Sequence, residues 1–233
     1  MKRYHLLLAL LAAALLSGCT IAYAQGARVS KTIDPLVLTN DQRLAVAVAL
    51  RAGEVRVTTT PSDELQATLT YDTPLARPNC RVENNGALVN FAIAPSAHAK
   101  RGALRGQEHQ ADLYLPQHAL QALSIRLDAG QVSLDLHDAD LNNVDARVGA
   151  GELLLDLRGT HSRDMTVAVA TGLGTATVLL PADMNIEIVS ERALGQIDYD
   201  GLSPAGRAVS ATAPTLTLTV LRGIGQTTLR LDD

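Results

Sequence analysis

The sequence predicts an all-β chain in which short strands stack as a repeated, solenoid-like array of the β-helix type, forming one domain behind an N-terminal export signal. Two observations carry the prediction: apolar and other residues alternate at period two, and a glycine interrupts the alternation about every 21 residues. A third agrees with it. The 233-residue chain is 47% hydrophobic but only 3% aromatic, and aliphatic side chains suit the narrow core of stacked strands.

The N-terminus has the features of a secretory signal peptide over residues 1–18. Lys2 and Arg3 precede an apolar run from Leu6 to Leu16. As a helix this run would rise about 16 Å, against about 30 Å of membrane hydrocarbon, so it is too short to span. Later segments of the sequence contain no apolar run of spanning length, and we expect no transmembrane helix after it.

The end of the apolar run, Leu16-Ser17-Gly18-Cys19, resembles the bacterial lipobox. That resemblance implies that Cys19 becomes the lipidated first residue, with acyl chains that anchor the protein stably to a membrane. Thr20, being no Asp, implies the outer membrane in a Gram-negative host. The alternative is cleavage after Ala24 and a soluble secreted or periplasmic protein.

Residues 19–43 are polar and mixed, and they are expected to form the lipidated N-terminus and a tether. With a net charge of -4, the chain lacks the basic stripe of nucleic-acid binders. Cys80 is the one thiol expected after Cys19 is modified. Burial is its expected state, and a free thiol ready for an intermolecular bond is the alternative.

From residue 44 to 233 the same unit returns: a strand, a glycine corner and a second strand. In one unit Val144, Ala146 and Val148 lead to Gly151, and Leu153 and Leu155 follow. Glycine suits such a corner because it tolerates positive φ. The predicted corner glycines are Gly53, Gly130, Gly151, Gly174, Gly195 and Gly225.

The spacing of the glycines favours stacked repeats. The steps from Gly130 to Gly195 are 21, 23 and 21 residues, whereas the step to Gly225 is 30 and indicates an insertion. Stacked units share one aliphatic core that a single unit could not form. An antiparallel β-sandwich, which also has strands every 8 to 12 residues, is the alternative.

The order of these phrases resembles the toast-rack domain, which is related to adhesin-type domains and to the C-terminal part of LiaF-type cell-wall-antibiotic-response proteins. The phrases are 151–157 (GELLLDL), 172–174 (GLG), 194–195 (LG), 200–202 (DGL) and 223–225 (GIG), with 52–55 (AGEV) and 112–116 (DLYLP) before them. The resemblance covers residues 44–233. It implies a stack of short strands, an extracytoplasmic setting, and envelope stress sensing or adhesion as the activity.

Little in the sequence points to catalysis or to a cofactor. Asp135 and Asp156 take the fifth place after the glycine in neighbouring units, so stacking would set them about 4.8 Å apart on the outer face. Two carboxylates repel or share a cation, but calcium needs six to eight oxygen ligands. Solvated surface acids are therefore the expectation, with these two as weak metal candidates.

The sequence therefore predicts a lipid-anchored envelope protein without enzymatic activity, which serves as a binding or scaffold module in, for example, the envelope stress response. Its partner would be an envelope protein or a surface ligand. An adhesin-like surface protein is the alternative. A hidden hydrolase is a further one, although the sequence contains no nucleophile-elbow motif.

Overall fold

The structure is a computed structural model that describes residues 28–71, 77–95, 109–191 and 195–231. The signal peptide and Cys19 lie outside these residues. Thirteen strands and no helix are found among them, so the described residues hold no helix that could cross a membrane. The strands are β1 Val29–Val37, β2 Arg43–Thr60, β3 Glu64–Tyr71, β4 Asn79–Asn85, β5 Leu88–Ala94, β6 His109–Pro116, β7 Leu120–Asp135, β8 Asn143–Asp156, β9 Met165–Leu180, β10 Asn185–Glu191, β11 Gln196–Asp200, β12 Gly206–Arg207 and β13 Thr215–Leu231.

Five strands are long and turn a corner at a glycine: β2, β7, β8, β9 and β13. The burial pattern shows the turn, because β7 buries Leu123, Ile125 and Leu127 and then changes phase to bury Val132 and Leu134. We call the part before the glycine the first arm and the part after it the second arm. Both arms direct their buried side chains into one aliphatic core cluster.

Each bent strand is one layer, and parallel pairing in register joins it to the next. In the order found in space, the bent layers are β2, β7, β8, β9 and β13. A split layer lies on either side: β5 and β6 pair with the two arms of β2, and β10 and β11 with those of β13. The predicted stack of strand, corner and strand is confirmed, and parallel pairing between layers excludes the antiparallel sandwich.

The last units do not stack in chain order. β13, which ends the described chain, lies between β9 and β10, so Gly174 pairs with Gly225 and not with Gly195. The 30-residue step from Gly195 to Gly225, which indicated an insertion, contains the segment 201–214 between β11 and β13, and β12 is part of that segment.

The predicted tether of residues 19–43 is wrong over residues 29–37. These residues form β1, which pairs antiparallel with β3, while β3 pairs antiparallel with β6. Val29, Ile33 and Leu36 are partly buried against the core and explain why the segment joins the sheet. β1, β3 and β4 thus flank one end of the stack, the near end; β10, β11 and β12 form the other, the far end.

Candidate functional site

The corner of the stack brings the predicted glycines into a column. Gly53, Gly130, Gly151 and Gly174 have φ values of 125°, 133°, 139° and 130°. An ideal Cβ on Gly151 would lie 1.8 Å from the carbonyl oxygen of Gly130, and each of the other three would meet the neighbouring backbone as closely. Glycine is required here both by φ and by the distance between layers.

Gly195 and Gly225 differ from the other predicted corners, because neither has a positive φ. Gly225 remains in the column, and its Cβ would lie 2.0 Å from the oxygen of Gly174. Gly195 lies beyond it, 2.8 Å by the same measure from the oxygen of Gly225. The prediction of one identical turn in every layer therefore fails at the far end.

A second column, two residues earlier, contains Gly149, Gly172 and Gly223. A Cβ on Gly172 would lie 2.4 Å from the oxygen of Gly149, and one on Gly223 would lie 2.0 Å from that of Gly172. Between the columns runs a row of apolar residues on the outside of the corner. Its members are Ala52, Ala129, Ala150, Leu173 and Ile224. Leu173 and Ile224 are 57% and 59% exposed, so the row is most prominent toward the far end.

Asp135 and Asp156 are register partners on β7 and β8, as the repeats predicted. Arg158 donates to both carboxylate oxygens of Asp156, at 2.7 Å from Nη2 to Oδ2 and 3.0 Å from Nε to Oδ1. Partial burial raises the pKa of Asp156, but these hydrogen bonds and the guanidinium charge outweigh it and lower the pKa. Asp156 is thus an ion-paired acid of the second arm.

The edge opposite the glycine corner carries a cavity of about 340 Å³ between successive loops. Asp138 lies there with a φ of 55°, and its Oδ1 accepts a 2.8 Å hydrogen bond from the backbone N–H of Thr160 in the next loop. That bond, followed by the charge of His137, lowers the pKa of Asp138 despite slight desolvation. Arg163 and Asp140 form a 2.7 Å ion pair at the same edge. This polar cluster escaped the sequence analysis because its members come from two loops.

His161 is buried under this cavity and ties two loops together. Its Nε2 lies 2.7 Å from the carbonyl oxygen of Leu157, and its Nδ1 lies 3.2 Å from that of Ala139 in the preceding unit. Every polar group named at this edge already has a partner within the protein. These contacts therefore act as a structural clasp that holds the two successive loops together. The described residues hold no group of three or more His, Cys, Asp or Glu side chains that could hold a metal ion.

Cys80 is exposed on β4, contrary to the expectation of burial. The reason is that β4 is an outer strand that pairs, among the described residues, with β5 alone. Partial desolvation raises the pKa of the Cys80 thiol, although the charges of Lys31 and Arg77 act against it.

Comparison with known proteins agrees with the stack of bent strands. The family model for the N-terminal domain of toast_rack (DUF2154) matches residues 24–179, about two thirds of the chain. A comparison with curated proteins finds no match. The crystal structure of a "putative cell adhesion protein" from Clostridium sporogenes is similar at 16% identity and a TM-score of 0.72, over 88% of this chain and 100% of that one.

Two further solved structures align over 87% of this chain. One is a "putative adhesin" from Bacteroides fragilis, with 13% identity, a TM-score of 0.38 and 96% of its own chain covered. The other is a "putative lipid binding protein" from Parabacteroides distasonis, with 10% identity, a TM-score of 0.32 and 97% covered. At such identities the likeness concerns the fold, whereas the family model matches most of the sequence. The chain therefore belongs to the toast-rack family.

Proposed function

We propose that this chain is a lipid-anchored protein of the bacterial envelope that binds a partner protein without catalysing a reaction. The observation that carries the proposal is the stack itself: in-register parallel layers form a stiff body whose outer faces and corner stay available for contact. The exposed side chains of Leu173 and Ile224 on that corner are of the kind that protein interfaces use.

The N-terminal sequence supports the location. Cys19 ends a lipobox-like phrase, and β1 begins at Val29. Ten residue steps reach about 35 Å at most when fully extended. A lipid on Cys19 would therefore keep the near end of the stack close to the membrane surface, which suits a scaffold that acts on other envelope proteins.

The test is crosslinking of the anchored protein in intact cells, followed by mass spectrometry of what it captures. We expect a reproducible envelope partner whose capture falls when Leu173 and Ile224 are replaced together by Ser. A Cys19→Ser variant should leave the membrane fraction or fail to mature, and unchanged membrane retention would contradict the anchor.

The adhesin-like role is the second candidate. It is favoured by the name of the similar Clostridium sporogenes structure, a "putative cell adhesion protein". Protease treatment of intact cells distinguishes the adhesin role from the scaffold role. A surface adhesin is cut when protease is added to intact cells, whereas a scaffold facing the periplasm is protected until the outer membrane is opened. A role in the envelope stress response predicts that deletion of the chain alters the response to cell-wall antibiotics.

A further inference from the structure

The two ends of the stack are built differently. At the near end, Lys31 of β1 lies on the core-facing side of its strand, opposite the buried Leu69, although its own side chain is exposed. Pro35 lies in the same strand, and the pairing shifts register between Ile33 and Leu36. An inward charge, a proline and an irregular register are the devices by which edge strands avoid pairing with other chains.

The far end lacks these devices in β11. Among the described residues, β11 pairs with β13 alone, which leaves its other backbone edge without a strand. Ile197 and Tyr199 take the inward positions opposite Thr227 and the buried Leu229, and both remain partly exposed. The core thus ends on a partly exposed apolar surface, beside a strand edge that pairs with no other strand of the described residues.

On the first arm the chain itself shows how such an edge is covered. β12 adds to β10 as a short antiparallel strand, with Arg207 opposite Ile186 and Gly206 opposite Glu187. Ile186 is 2% exposed under this cover, whereas Ile188, the next inward residue, is only partly buried. The far end therefore accepts a strand, and the described residues supply none for β11.

The charges of β11 indicate what kind of strand fits. Its outward residues are Gln196, Asp198 and Asp200. Asp198 accepts hydrogen bonds from Gln196 and Gln226, and Asp200, whose side chain is 70% exposed, lies 3.9 Å from Arg230 on β13. A second copy is a poor occupant. Antiparallel pairing of two β11 strands about their centre would set Asp198 against Asp198, and like charges directly opposite are destabilising. Head-to-tail stacking would meet Lys31 and Pro35 of the near end.

We propose that the free edge of β11 binds an extended segment of a partner protein, which adds as the next strand and alternates apolar with basic residues. Its apolar side chains would cover Ile197 and Tyr199, its basic ones would face Asp198 and Asp200, and its backbone would bond to the edge. This inference rests on the proposed binding function and names the class of partner segment and its site.

The probe is a fluorescein-labelled peptide of alternating Lys and Val, about eight residues long, capped at both ends and titrated into the full chain in mild detergent. We expect saturable binding and slowed hydrogen–deuterium exchange in residues 196–200. The fully N-methylated peptide keeps its charges but loses its backbone donors, and should bind at least about tenfold more weakly because strand addition depends on main-chain bonds.

Two variants of the protein localise the site. Replacing both Asp198 and Asp200 by Asn should weaken binding about fivefold, since each exposed charge pair contributes modestly. Replacing Asp34 and Asp63 at the near end by Asn removes the same charge and should change nothing. Ile197→Lys, which copies the inward charge of Lys31, should abolish binding.

Equal binding of the two peptides, equal effects of the two charge variants, or the lack of saturable binding would each overturn the proposal. The outcome is separable from that of the proposed function. If Ile197→Lys still captures the envelope partner in cells, the binding function stands and the β11 site is wrong.

Discussion

At the scale of single residues, the corner glycines are required both by their positive φ and by the backbone of the neighbouring layer. Gly151 sits in the left-handed region, and its Cβ position is occupied by the backbone of the layer below. Gly86, in the turn between β4 and β5, has a φ of 77° but open space around it. The two positions therefore separate backbone strain from contact between layers.

Gly151→Ala should lower the free energy of unfolding by about 3 kcal/mol or more, since strain at positive φ adds to a forced shift of a packed backbone. Gly86→Ala carries the strain alone and should cost about 1 kcal/mol. Chemical denaturation of both variants measures the difference. Equal costs would show that stacking does not enforce the glycine.

The ion pair of Asp156 predicts a dependence on pH. Because the folded pKa of Asp156 is lowered, the carboxylate stabilises the fold above its unfolded pKa of about 4, and this contribution is lost as pH falls through the folded value. Asp156→Asn should cost about 1 kcal/mol at pH 7, as expected for a partly exposed Arg–carboxylate pair. Denaturation curves at pH 7 and pH 3 check it.

The stability gap between Asp156→Asn and the parent chain should close at the lower pH. Asp135→Asn is the matched control, because Asp135 holds the same place in the adjacent layer and is exposed. If Asp135→Asn costs as much as Asp156→Asn, the pair with Arg158 does not account for the loss, and if both variants gain stability, charge repulsion between the two acids governs their effect.

At the scale of the elements, the inward rows across the stack are mostly apolar, and Thr171, whose register partner on β13 is Arg222, departs from this pattern. Its inward neighbours in successive layers are Leu50, Leu127 and Val148. Thr171 is 8% exposed, and its hydroxyl finds no hydrogen-bond partner among the described residues. A buried polar group without a partner is destabilising.

Thr171→Val keeps the shape of the side chain and removes that hydroxyl. We expect it to raise the free energy of unfolding by about 1 kcal/mol, which thermal and chemical denaturation would both detect. Thr177→Val, at a half-buried position between Ala176 and Val178, is the control and should have little effect. A loss of stability in Thr171→Val would mean that the hydroxyl has a partner after all.

The bent strands could be predicted from the sequence because their alternation and their glycines repeat, and because register follows from the repeat. β1 was missed since its inward side chains are Val29, a charged Lys31 and Ile33 beside Pro35, which is no clean strand pattern. The position of β13 was also beyond reach. Every arm has the same period, so alternation does not state which layer pairs with which.

The candidate sites were predictable to a smaller extent. Asp135 and Asp156 were placed correctly as neighbours because they belong to the repeat. The clasp of Asp138, Thr160 and His161 depends on loops that the repeat leaves irregular. The edge at β11 could not be predicted, because an edge depends on the order of strands in the sheet, and the alternation of residues does not give that order.

At the scale of the whole molecule, the parallel pairing gives the stack two different ends. Each inner layer has a neighbour on both sides, whereas the layers at the two ends each leave a strand edge to be protected, and the chain treats these two edges differently. At the near end it uses antiparallel strands and an inward lysine. At the far end it adds the short β12 on one arm, and within the described ranges no strand covers the other arm.

The place of β13 between β9 and β10 also determines the order in which the layers of the stack can assemble. β13 follows β10 and β11 in the chain, yet it lies between them and β9 in the stack. Layers from β2 to β9 can assemble as they emerge, whereas β10 and β11 can join the stack only once β13 has paired with β9. The surface that distinguishes the far end therefore forms only after β13 is in place, so a copy truncated before β13 would lack it.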